Sequence, residues 1–153
     1  MTTGSFPKDR LNRILDAVET IEESIGVLVR KQQFGRDEYK ADPETRDVVE
    51  RRFVKMTEAA IDIGEELVKQ ERSEPPGSNP ESMRMLAAVG VLPTETAEQM
   101  AQAARFRNVL SHTYGQIIDH DVVYNALQED LERYRTFVVE VREYLESVGA
   151  FEN

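Results

Sequence analysis

Arg107 and His112 are the two side chains whose types and spacing could do chemistry together. A histidine takes up or releases a proton near neutral pH. An arginine holds two phosphate oxygens in a planar fork and stays charged while doing so. Cleaving RNA without a metal needs both functions: a proton acceptor for the 2′-hydroxyl and a cation for the anionic phosphorane. On an ideal helix five steps turn through about 500°, which leaves the two side chains roughly 140° apart. One straight helix does not aim both at one phosphate, so either the helix ends near His112 or a second copy of the chain completes the site. Tyr114, seven steps beyond Arg107, returns to nearly the same face. Taken alone, the Arg–His spacing is equally served by an interhelical polar contact beside the core.

Other chemistries are bounded by composition. There is no Cys, which excludes thiol catalysis, Cys-ligated zinc and disulfides. The only other histidine, His120, lies between Asp119 and Asp121 at a helix start and reads as a solvated capping residue. The two histidines are too isolated to make a metal site by spacing. With 29 acidic against 19 basic residues the formal net charge is -10, which works against nucleic-acid binding and gives no expectation of a DNA partner. An RNA-cleaving site would need a local basic cleft. Arg105 and Arg107 could build it, with Arg51, Arg52 and Lys55 from an earlier helix, unless these are solvated charges paired with nearby Glu.

The elements that must position these residues are helical almost everywhere. Leu11, Ile14, Leu15, Val18, Ile21, Ile25 and Leu28 make one apolar stripe from about Phe6 to Lys31, with Pro7 in the first turn and Ser5 as a possible cap. Gln32 to Asp42 is polar and reads as a connection. Pro43 opens the second helix, capped by Asp42, with Val49, Phe53, Met56, Ala60, Ile63 and Leu67 on its stripe and an end near Arg72. Residues 73–80 form an exposed Pro/Gly loop. A short helix follows from Pro80 to Val89, closed by Gly90. The next is capped by Thr94 or Thr96, with acids in its first turn, and runs through Met100, Ala104 and Val109 towards Tyr114. The last begins near Asp119 or Asp121 and continues through Val123, Leu127, Leu131, Tyr134, Val138, Val141 and Leu145 to the end. Tyr124 and Tyr134 on that helix read as core or interface, and the methionines at 56, 83, 85 and 100 as packing. The expectation is an all-α, up-and-down bundle of four long helices and one short one, a single domain over residues 1–153. No apolar run approaches a membrane span and no signal peptide is visible, so a cytoplasmic location is expected.

The pattern Arg107-Asn108-x-x-x-His112-x-Tyr114 closely resembles the R-x4-H-x-Y motif of the HepT-like family, within the HEPN superfamily. Its neighbourhood is similar too, by eye over roughly positions 10 to 145. Arg52 to Gly64 looks like the family's second helix, Asn79 to Leu92 like its short middle helix, and Ile117-Ile118-Asp119 also fits. The resemblance implies a helical toxin of a type VII toxin–antitoxin pair, acting as a metal-independent endoribonuclease on RNA. It implies a homodimer in which the motifs of both subunits meet in one cleft, and no cofactor. Arg107 and His112 fall on the catalytic positions, Asn108 on the supporting polar position, and Tyr114 on the tyrosine that an MntA-type minimal nucleotidyltransferase antitoxin modifies with AMP. Each AMP adds a negative phosphodiester and bulk beside the Arg and His, which would repel the RNA backbone. Two other readings compete: a non-catalytic bundle whose Arg107 and His112 bind nucleotide phosphate for a nucleotidyltransferase partner, and a helical dimer whose polar motif only specifies packing.

Overall fold

The computed structural model describes residues 6–72, 77–111 and 118–152. Its first element, α1 (Lys8–Lys31), buries Ile14, Val18, Ile21, Ile25 and Leu28, which are the three- and four-residue steps of the apolar stripe. Pro7 stands at the N-cap without a side-chain bond, and its carbonyl accepts from the Leu11 N–H at 3.0 Å. Ser5 lies outside the described residues.

The longest element, α3 (Pro43–Arg72), starts where expected. Asp42 Oδ1 accepts from the backbone N–H groups of Glu44 and Thr45 at 3.2 and 3.4 Å, and Thr45 Oγ1 donates to Asp42 Oδ2 at 2.9 Å. Helices α1 and α3 run antiparallel, because the start of one is tied to the end of the other. Arg10 Nε and Arg13 Nε donate to the two oxygens of Glu66 at 2.9 and 2.8 Å, and Arg10 Nη1 donates to Gln70 Oε1 at 2.6 Å.

The stretch between them is not a plain connection. It contains α2 (Arg36–Ala41), whose Tyr39 is fully buried with its ring 5.5 Å from that of Tyr124. Six residues whose only apolar side chains are Tyr39 and Ala41 carry no periodic stripe, so the element is set by its contacts. Arg36 donates to Asp121 Oδ1 and Asn125 Oδ1 at 3.0 and 2.7 Å, Lys40 donates to Asp121 Oδ2 at 3.0 Å, and Glu38 Oε1 accepts from the Gly35 N–H at 3.1 Å.

The expected last helix is two: α6 (His120–Glu129) and α7 (Glu132–Ser147). Leu127, Leu131 and Tyr134 continue the apolar steps across the break, which is why the periodicity runs through it. The short helix α4 (Asn79–Ala88) is capped by Ser78, whose hydroxyl accepts from the Glu81 N–H at 3.3 Å. It ends through Gly90 at φ 84, where the Val91 N–H bonds back to Leu86 O at 2.8 Å. It crosses α3 over Gly64; a Cβ there would lie 3.4 Å from Leu86 Cδ1.

Helix α5 (Thr94–Ser111) takes Thr94 as its first residue and buries Thr96, so neither threonine is seen to cap it. Its extension towards Tyr114 lies outside the described residues. The molecule is thus an all-α bundle with seven helices among the described residues, where four long and one short were expected. All seven contribute to one cluster of buried side chains. Phe53 lies near its middle, edge-on to Phe106 at 5.4 Å and 6.5 Å from Tyr134, whose hydroxyl meets buried Thr57 Oγ1 at 2.7 Å. Among the described residues no helix is long and apolar enough to cross a membrane.

Candidate functional site

Helix α5 presents Arg107 and Asn108 near its end, and its first half explains why they are fixed there. Ala97, Met100, Ala101, Ala103 and Ala104 are buried, so the backbone packs closely against α3, α4 and α7. Phe106 then docks on Phe53, and the next residue is Arg107.

The Arg107 side chain is only 18% exposed. Its Nη2 makes an ion pair with Glu58 Oε2 of α3, and its Nη1 donates to Asn108 Oδ1 at 3.1 Å. The Nε is buried without a hydrogen-bond acceptor. Arg107 and Asn108, adjacent in the chain, are therefore in direct contact. His112 and Tyr114 lie outside the described residues, and so does Gly115.

Glu58 is the residue that sequence reasoning missed. It stands 49 positions before Arg107, and no local spacing links the two. Its surroundings are acidic: Glu58, Asp62 and Glu65 line a groove with Ile61, Asn79 and Arg107. The Asp62 carboxyl is held above the usual carboxylate range, first by burial and then by Glu65, Glu58 and Glu66, with Arg107 pulling the other way. On the other side of the same ridge a second groove, between α1 and α3, is lined by Arg13, Lys55, Glu58, Asp62, Glu66 and Lys69 among others.

The basic residues expected to form a cleft are divided. Arg107 sits among carboxylates. Arg105 is exposed on α5, Arg51 and Lys55 are exposed on α3, and Arg52 is half-buried beside them. Among the described residues none of these four has a carboxylate within 4.0 Å, so their pairing with nearby Glu is not what is found.

His120 is not the solvated cap that its position suggests. Asp119 is the N-cap of α6, accepting from the N–H groups of Asp121 and Val122 at 3.0 and 3.4 Å. The His120 side chain is 29% exposed, with Nδ1 3.7 Å from Glu50 Oε2 and without a hydrogen bond. Burial lowers the His120 pKa, helped by Arg46, while burial and Asp47 raise that of Glu50. Tyr124 donates its hydroxyl to Phe34 O at 2.7 Å, and Tyr134 is fully buried, so both are structural as expected. Among the described residues no three His, Asp or Glu side chains converge as metal ligands.

Comparison with known proteins bears on this geometry. The profile described as ribonuclease HepT-like matches residues 14–141. A tRNA nuclease HepT of Aphanizomenon flos-aquae is 29% identical over 128 residues, covering 84% of this chain and 86% of that protein. An mRNA nuclease HepT of Shewanella oneidensis is 27% identical over 127 residues, covering 82% and 92%. Among solved structures, a tri-AMPylated HEPN toxin of Shewanella oneidensis in complex with an MNT antitoxin superposes with a TM-score of 0.78 at 24% identity. That match covers 86% of this chain and 97% of the other, and at that identity it establishes the fold.

Proposed function

This chain belongs to the ribonuclease HepT-like family, and from that premise we propose that it is an endoribonuclease toxin of a HEPN/MNT toxin–antitoxin pair, silenced by AMP transfer to Tyr114. The observation that carries the proposal is the family match over residues 14–141, which contains the whole Arg107–Tyr114 pattern. The two nuclease relatives and the toxin–antitoxin complex with the same fold support the same class of activity.

In this mechanism His112 takes the proton of the ribose 2′-hydroxyl, and the 2′-oxygen attacks the adjacent phosphorus. The P–O5′ bond breaks, and the proton returns to the leaving 5′-oxygen. Arg107 neutralises the phosphorane, where charge is greatest. Asn108 fixes the guanidinium through its 3.1 Å bond. The catalytic cleft is completed by a second copy of the chain in a homodimer, as the resemblance to the HepT-like family implies. No metal enters these steps.

Silencing is a group transfer. The Tyr114 hydroxyl attacks the α-phosphorus of ATP on a nucleotidyltransferase antitoxin, pyrophosphate leaves, and the phenolic proton goes to solvent. The phosphodiester left on Tyr114 competes with RNA for Arg107.

A second reading has one observation in its favour. Arg107 is engaged by Glu58 and Asn108, as it would be in a helical dimer whose polar motif only specifies packing. Two measurements on the full chain separate the readings. His112→Ala should lower RNA cleavage by about 10²–10⁴-fold while the protein stays folded and dimeric. Intact mass after co-expression with an MNT-type nucleotidyltransferase antitoxin should rise by one or more AMP units, and Tyr114→Phe should abolish the increment. A folded His112→Ala protein that still cuts at the wild-type rate sinks the catalytic assignment.

A further inference from the structure

Two arginines of this protein close a full fork on a carboxylate of another helix. Arg84 gives Nε and Nη2 to the two oxygens of Glu98 at 2.9 and 3.2 Å. Arg13 gives the same two nitrogens to Glu66 at 2.8 and 3.1 Å. In each, two parallel bonds fill one edge of the guanidinium. At Arg107 that edge is half used. Nη2 meets Glu58 Oε2, while Nε is enclosed and has no acceptor. Nη1, away from this edge, donates to Asn108. An enclosed donor without a partner is costly, and what is missing is a second oxygen beside that of Glu58.

Glu58 is the looser member of the pair. Its side chain is 45% exposed, against 18% for Arg107. It also stands on the ridge between two grooves, bordering Arg107 in one and Lys55 in the other. On a helix surface a side chain meets those three and four positions away. For Glu58 these are Val54, Lys55, Ile61 and Asp62. Lys55 is the one cation among them, and it is exposed. Glu58 therefore has two alternative partners: a guanidinium on α5, and an ammonium one turn back on its own helix.

We propose that Glu58 gates Arg107: its carboxylate fills the phosphate seat in the RNA-free protein and swings to Lys55 when an RNA phosphodiester takes the Nε–Nη2 edge. The inference rests on the ribonuclease reading and adds what occupies the seat between turnovers. A phosphodiester offers two oxygens, so it completes the fork that one carboxylate oxygen leaves open. Lys55 receives the displaced charge, which would otherwise lie against the incoming phosphate. With RNA absent, the largely enclosed guanidinium keeps a counter-charge. Glu58 touches no reacting atom and acts only through Arg107.

The test is a double-substitution cycle read by binding. A fluorescein-labelled single-stranded oligoribonucleotide is titrated with the full-length His112→Ala chain, the His112→Ala change preventing turnover. The same chain is then given Glu58→Gln, Lys55→Glu or both. Glu58→Gln removes the competing charge, and binding should tighten about fivefold. Lys55→Glu makes the outward position repulsive, so Glu58 stays on Arg107 and binding weakens. That loss should be about threefold larger with Glu58 present than with Glu58→Gln. Lys55→Arg, which keeps a cation, should bind like the parent. Equal losses in the two backgrounds overturn the gate, because Lys55 then acts on RNA without Glu58. A Glu58→Gln chain that binds more weakly than the parent overturns it as well. The ribonuclease reading is judged apart, by cleavage with the unsubstituted chain. A coupled cycle without cleavage leaves the gate and removes the enzyme. Cleavage with equal losses removes the gate alone, and a parent that binds no oligoribonucleotide removes both.

Discussion

Arg107 shares one edge of its guanidinium with Glu58. On the ribonuclease reading proposed above, the carboxylate orients the guanidinium and also places a negative charge where an RNA phosphate would arrive. The two effects separate by substitution. Glu58→Gln keeps a hydrogen-bond acceptor and removes the charge, so the KM for RNA should fall about fivefold with kcat nearly unchanged, the scale of a partly exposed charge pair. Glu58→Ala removes the orientation as well, and kcat should drop. A Glu58→Gln enzyme with a raised KM would show that the charge assists binding instead. The placing of Arg107 and Asn108 side by side near one helix end was legible because they occupy consecutive positions of the α5 pattern. Glu58 was not legible because local rules pair it with Lys55, three residues away, whereas tertiary packing gives it to a helix 49 residues later. The same blindness applies to His120. Two flanking aspartates suggest a solvated cap, and only the docking of α6 on Glu50 of α3 reveals a half-enclosed ring.

Among the elements, α1, α3, α4 and the body of α5 followed from apolar periodicity and cap chemistry, since each has a stripe long enough to repeat and a Pro, Asp, Ser or Gly at its boundary. Helix α2 escaped because its stability comes from Arg36, Lys40 and Tyr39 contacts to α6 rather than from its own sequence. The α6–α7 break escaped for the opposite reason: the apolar steps run on across Asp130 and Leu131. The start of α6 matters most for the site, because the segment carrying His112 and Tyr114 leads directly into it. Asp119 holds that start through two backbone N–H groups. Asp119→Ala should destabilise the protein by about 1 kcal/mol, lowering Tm by about 2–4 °C for a chain of this size. Asp119→Asn should keep most of the stability. Thermal unfolding of the three proteins checks both statements, and an unchanged Tm for Asp119→Ala would mean that α6 is held by its packing on α1, α2 and α3 alone.

Over the whole molecule the fold class was legible and the charge pattern was not. Composition gives -10 but not where the charges meet, and the ridge at Glu58, Asp62 and Glu65 is where they crowd. Asp62 has a pKa raised above 3.8 in the folded state. The stability it lends is fully present below that value and is lost as pH rises through the folded pKa. Asp62→Asn imitates the protonated form, so it should raise Tm at neutral pH. The difference should shrink as pH falls and vanish below about 3.8. A neutral-pH Tm that does not move would mean that Arg107 and solvent already offset the repulsion. Stability and site meet again in α5, which touches α3, α4 and α7 and turns alanines towards them. Mechanically it is a shaft gripped on three sides, with almost no side-chain slack at the grip. It can slide or rotate only if three neighbours yield together. The position of the guanidinium near its end is therefore set by the stiffness of the bundle as much as by its own torsions.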